Sequence, residues 1–201
     1  MKSKIKKIWK RIWQINFQPY SEWEIINSEP NSKSLLLGEF IFPITITIAL
    51  TTFAGNIFAM STNNYTFLYV LIKTISVFCT SFFTFYVSTL LVYEINLKLG
   101  FLKDYRKIFI LFTYSFSVFW TALIISGILA DYKTLGSFLK FLGLIGIYPF
   151  WVGLDILLNI PIEKKNKFFI LSLTIVVIVY FLIDWSFGLI LRAVYFAGLL
   201  T

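Results

Sequence analysis

Residues Leu135–Lys167 read LGSFLKFLGLIGIYPFWVGLDILLNIPIEKKNK, and this stretch decides the fold class. Leu135 to Leu158 is long enough to cross a bilayer, since about 20 helical residues span the hydrocarbon core. Gly136, Gly143, Gly146 and Gly153 recur at steps of seven, three and seven, which gathers them on one helical face. Small residues on such a face let a neighbouring backbone come close, as membrane helices require when no water drives them together. Pro149 removes a hydrogen bond inside the span and predicts a kink near Ile145–Pro149. Packing explains most kinks of this sort, with a substrate site or hinge as the other reading. Asn159-Ile160-Pro161 ends the helix, and Glu163–Lys167 follows as a compact charged turn. Short basic loops of that kind stay on the cytoplasmic side.

Composition extends this reading to the whole chain. Its 201 residues are 58% hydrophobic and 14% charged, whereas ordinary soluble domains carry about 25% charged residues. The net charge of +8 sits beside apolar runs rather than on a polar face, so the expected partners are anionic lipid headgroups and not nucleic acid. There is no histidine, and Cys79 is the single cysteine. That removes the usual zinc sites, Ser–His–Asp and Cys–His catalytic units, and any intramolecular disulfide. No carboxylate cluster suggests an oxygen-only cation site, so no cofactor or metal is expected.

Working outward from the opening stretch, the apolar runs predict five spans, at about 35–60, 67–93, 108–130, 135–158 and 168–191. The fold class is all-α: a polytopic bundle over 35–201 preceded by a cytoplasmic arm over 1–34. In residues 1–17, Ile5, Ile8, Trp9, Ile12 and Trp13 form one helical stripe, with Lys4, Lys6, Lys7, Lys10 and Arg11 on the other side. The pattern predicts a helix lying in the membrane surface, with Lys6, Lys7, Trp9, Lys10, Arg11 and Trp13 among the headgroups. A disordered basic tail is the alternative. A signal peptide is not expected, because no uninterrupted apolar core or cleavage site follows. Ser21-Glu22-Trp23-Glu24 has the spacing of a capping box and predicts a short helix through Ile26. Asn64-Tyr65-Thr66 matches a glycosylation sequon, a triplet common by chance.

Polar residues inside the spans are the candidates for function. Ser76, Thr80, Thr84 and Ser88 on span two, and Thr113, Ser117 and Thr121 on span three, recur every four residues. Helix packing accounts for such stripes, and a pore lining is the competing reading. By helical rise, Lys73 and Lys140 lie roughly 8–9 Å below the outer surface and Asp184 roughly 12 Å. The expectation is an ion pair between Asp184 and one lysine, holding span five to span two or four. Alternatively the lysines snorkel outward. Glu39, Glu94 and Asp155 lie near the opposite ends of their spans. They either gather into an acidic cluster with Lys98 or Arg106, or each ends in the wet headgroup zone. Basic flanks alternate with nearly uncharged ones, which predicts a multi-pass protein with N-terminus cytoplasmic and C-terminus outside. In a bacterium the membrane would be the inner, cytoplasmic one.

Three segments resemble the Yip1-domain family of integral membrane proteins in its small bacterial form. They are Pro19-Tyr20-Ser21-Glu22-Trp23-Glu24-Ile25-Ile26 with Glu29, then Lys107 through Tyr114-Ser115, and Gly146-Ile147-Tyr148 through Gly153-Leu154 with Pro161-Ile162-Glu163-Lys164-Lys165. The resemblance covers the chain from about residue 18. One departure is Tyr114-Ser115-Phe116-Ser117-Val118, where the family commonly has a proline. The resemblance implies a five-helix membrane protein with a cytoplasmic N-terminus and brings no catalytic residues. The expected function is therefore non-enzymatic: contact with lipids, other membrane proteins or a second copy, in membrane organisation or scaffolding. The alternative is a small transporter or channel using the stripes of spans two and three with Lys73, Lys140 and Asp184. An intramembrane enzyme ranks third, since no serine is placed beside either lysine.

Overall fold

The computed structural model describes residues 2–30, 32–63, 66–98, 100 and 104–196. In lipid every backbone N–H and C=O must find a partner within the protein, so long apolar runs become helices. Five helices are long and apolar enough to span a membrane: Lys33–Phe58, Phe67–Lys98, Tyr105–Ile128, Thr134–Ile156 and Ile162–Ala193. They are called spans one to five below. Helices Lys2–Phe17 and Pro19–Ser28 precede them, and no strand occurs among the described residues. The ends nearest these two helices are the arm side, and the opposite ends the far side.

Two sequence expectations are corrected at the charged ends. Glu163–Lys167 is not a turn but the beginning of a helix that starts at Ile162. Nothing in Glu-Lys-Lys-Asn-Lys breaks a helix, and Pro161 just before it has the backbone angle that starts one. The chain reverses earlier, where Asn159 adopts φ 48°, a left-handed conformation asparagine tolerates better than most residues. Similarly, span two continues as helix to Lys98, and Asp104 caps span three by accepting from the Arg106 N–H at 2.9 Å. The sequon's Asn64 and Tyr65 lie outside the described residues.

Span three is the centre of the bundle. In its most apolar window 72% of residues are buried, against 22% for span five. Spans one, two and four pack directly on it, and span five leans mainly on span two. The closest approaches are made at glycines. A Cβ at Gly55 of span one would fall 1.9 Å from the Gly127 carbonyl oxygen of span three. On span four, a Cβ at Gly143 would meet Phe119 at 2.5 Å, one at Gly146 the Ser115 carbonyl oxygen at 2.6 Å, and one at Gly153 Leu111 at 2.5 Å. The glycine face of span four therefore lies flat on span three.

Both kinked spans carry a proline. Span four is α-helical over Lys133–Phe141, tightens to a 3-10 helix over Leu142–Gly146, and resumes as α-helix over Ile147–Ile156 with Pro149 in its first turn. Span one widens to a π-helical turn over Leu37–Ile41, just before Pro43. Each irregular turn absorbs the hydrogen bond that the proline cannot make. In the middle of the bundle the Phe85 ring meets Phe109, Phe116 and Trp120 at centroid distances of 5.2, 5.9 and 5.4 Å. Many buried hydroxyls turn back onto their own helix, as Thr89 does to the Phe85 carbonyl and Thr113 to the Phe109 carbonyl, both at 2.7 Å.

Replacing Gly55 with alanine forces spans one and three apart and should cost about 1–3 kcal/mol. Gly38→Ala is the control, since a Cβ there meets nothing within 4 Å. Thermal unfolding in a fixed mild detergent measures both, and equal melting temperatures would contradict the crossing.

Candidate functional site

The far-side parts of all five spans line a cavity of about 410 Å³. Its deepest lining residues are Thr52 on span one, Ser81 on span two, Leu123 on span three, Lys140 on span four and Tyr180 on span five. Lys73, Lys140 and Asp184 all line it, so residues from three separate spans converge there. Lys73 is partly buried, whereas Lys140 and Asp184 are exposed. Among the described residues, no ion pair or hydrogen bond engages any of the three. The expected direct bridge between Asp184 and a lysine is thus corrected: the three side chains face a shared space instead of closing on each other. Lys140 and Asp184 are still near enough to act on the charge of Lys73.

The polar stripe of span two divides at this cavity. Ser76 and Thr80 line it, while Thr84 and Ser88, one and two turns deeper, are buried and their hydroxyls have no hydrogen-bond partner among the described residues. On span three, Thr113 and Ser117 are buried, and with Thr121 they bond to carbonyls of their own helix. That stripe is packing surface.

At the arm side the structure revises the predicted surface helix. Lys2–Phe17 presents two apolar stripes. Ile12 and Ile15, with partly buried Ile8, pack into the bundle core, whereas Trp9, Trp13 and Phe17 are exposed. Arg11 does not reach for headgroups. Its guanidinium donates to Glu22 and Glu29, both at 2.5 Å, and only 11% of the side chain is exposed. Burial works against that charge, but the hydrogen bond to Glu29 and the attraction of Glu22 outweigh it and hold the pKa above the ordinary arginine value. Lys10 is exposed, and the side chains of Lys6 and Lys7 lie outside the described ones.

The next helix, Pro19–Ser28, locks the arm to span four. Its Trp23 is fully buried and donates its indole N–H to the Pro149 carbonyl at 2.9 Å. The same ring lies so close to Gly153 that a Cβ there would meet it at 2.8 Å. The predicted capping box does not form: the helix begins two residues earlier, at Pro19, and the Ser21 hydroxyl donates back to the Gln18 carbonyl at 3.2 Å.

The three arm-side acids do not gather. Asp155 pairs with Lys165 at 2.5 Å, and Lys165 also lies 3.9 Å from the Trp151 ring centroid. Glu39 and Glu94 are exposed. No group of three acids or thiols able to hold a metal occurs among the described residues. Sequence reasoning missed Glu22 and Glu29 as partners of Arg11. Two acids seven residues apart, Glu22 on the short helix and Glu29 just past its end, facing a basic arm, were the available signal. No family model, curated protein or solved structure matches this chain.

Arg11→Ala leaves Glu22, 2% exposed, as a buried carboxylate without its cation. Breaking a buried pair in this way costs about 3–5 kcal/mol. Limited proteolysis of detergent-solubilised protein should cut near Gln18 much faster in the variant, and an unchanged cleavage rate would argue against the clamp.

Proposed function

We propose that this chain is a non-enzymatic multi-span membrane protein that acts through contact with lipids and neighbouring membrane proteins. The observation that supports it most is the arm helix with its two apolar stripes. One stripe is committed to the bundle, and the other offers Trp9, Trp13 and Phe17 outward beside the exposed Lys10. Indoles and lysines on one rigid ledge suit the headgroup zone, where an aromatic ring and a cation each find favourable surroundings. On this reading the arm side faces the cytoplasm, consistent with the basic flanks, and the ledge meets anionic lipid. The five-span layout also agrees with the Yip1-domain resemblance, which supplies no partner for this chain.

Hydrogen exchange of the full chain in bilayer nanodiscs tests the ledge. Anionic lipid should slow exchange across residues 8–17 relative to neutral lipid, and added salt should reverse the effect. A Trp9→Ala, Trp13→Ala, Lys10→Gln variant should lose the difference. Equal exchange of the native protein in both bilayers would refute the contact.

A second reading, a small transporter, draws on the far-side cavity and its charges. It needs a polar route through the bilayer, yet below Thr52, Ser81 and Leu123 the bundle is filled by Phe85, Phe116 and Trp120. Solute flux in proteoliposomes that disappears in Asp184→Asn would favour it over the first.

A further inference from the structure

The far-side cavity is lined by charges of both signs. Two lysines and one carboxylate line it, and none of the three makes a hydrogen bond or ion pair with another described side chain. Arg192, two turns beyond Asp184 on span five, lines a second, smaller pocket together with that acid. Lys73 lies six residues into span two, about 9 Å along the helix axis. Placing like charges together at membrane depth is costly, and such groups normally face a partner or a polar cavity. Here two ammonium groups and one carboxylate face a common space, which suits a ligand that carries both an anion and a cation.

The walls indicate what kind of molecule brings that anion. Hydroxyl and amide groups such as Asn56, Ser76 and Ser126 share the lining with Leu123, Phe187 and Leu191. Spans four and five flank the cavity without packing mainly on each other: span four rests on span three, and span five on span two. Their outward surfaces beside it carry exposed Phe138, Phe141, Phe181 and Trp185. A ligand here meets charge and hydroxyls at one end and lipid-facing aromatic surface at the other. The volume falls within the range of small-molecule sites, about 300–1,000 Å³.

We propose that this cavity binds the headgroup of a far-leaflet phospholipid, with Lys73 and Lys140 holding its phosphodiester and Asp184 selecting a headgroup that bears a primary amine. The phosphate accepts from both lysine ammonium groups, which act as point-charge partners. Asp184 then finds a cation in the headgroup, so an amine-bearing lipid is preferred to an anionic one of the same chain length. Gly188 leaves room for this on span five, since a Cβ there would meet nothing within 4 Å. The site is separate from the arm's contact with lipid and does not depend on it.

The test is native mass spectrometry of the full chain, stripped of lipid in detergent and titrated with phosphatidylethanolamine or phosphatidylglycerol. Wild type should bind one phosphatidylethanolamine more tightly than phosphatidylglycerol. Lys140→Gln, at an exposed position, and Lys73→Gln should each weaken it about tenfold, the loss of one charge-assisted contact. Asp184→Asn should erase the preference between the two lipids. Gly188→Leu fills the cavity without touching its charges and should abolish the bound lipid while leaving the melting temperature of the lipid-free protein unchanged. Equal lipid binding by wild type and the Lys73→Gln, Lys140→Gln double variant would overturn the proposal. So would displacement of the lipid by equimolar inorganic phosphate or glycerophosphoethanolamine, which would mark a site for a soluble anion. The Trp9, Trp13, Lys10 arm variant should bind as wild type does, so a failed ledge and a failed cavity give different results.

Discussion

Helices in a bilayer have no hydrophobic gain from meeting one another, because lipid tails are as apolar as leucine. The bundle therefore depends on how closely backbones can approach, and that is decided at a few glycines. Gly55 and Gly127 set the crossing of spans one and three, and Gly143, Gly146 and Gly153 lay span four along the other side of span three. With both flanks fixed in this way, span three is enclosed. The aromatic side chains it carries then fill the space left between helices, as Phe112 does against Phe150 at 5.4 Å between centroids. Span five has no comparable contact with the centre, which is why it remains the most lipid-exposed helix.

The same requirement links the arm to the membrane domain. Gly153 serves two neighbours at once, since Leu111 of span three and Trp23 of the arm both occupy the space its missing side chain leaves. Trp23 also satisfies the Pro149 carbonyl, at the turn where proline has already disturbed the helical ladder. A buried indole needs such an acceptor, and this carbonyl lies just past the 3-10 segment of span four. The kink is therefore a structural joint at its arm-side end, and its position follows from the proline while its partner does not.

Apolar runs, glycine spacing and proline positions were enough to read the five spans, because each acts through local geometry. The glycine face of span four was legible for that reason, as a period of about 3.6 residues places those positions together whatever they meet. What they meet was not legible. Ile8 and Ile12 look on paper like part of a lipid-facing stripe, since a stripe is apolar whether it touches lipid or protein. Only the bundle's shape divides that helix between Ile12, which is buried, and Trp13, which is 65% exposed. Arg11 was misread in the same way. Among lysines it looks like one more headgroup contact, but its planar, two-pronged guanidinium suits two carboxylates at once, and Glu22 with Glu29 supply them.

The contrast between Arg11 and Lys73 bears on where chemistry resides in this molecule. Both are cations held partly out of water. Arg11 is satisfied within the chain by two acids at hydrogen-bonding distance, so its work is structural and complete. Lys73 has Lys140 and Asp184 for company across an open cavity and bonds to neither. A bundle that needed an internal tie there could have made one as short as Lys165 to Asp155, which joins spans four and five at 2.5 Å on the arm side. On the far side, the three charged side chains instead line an open cavity, and Gly188 leaves room beside them. The bundle closes its arm-side charges in pairs and leaves those of the far-side cavity open to a ligand.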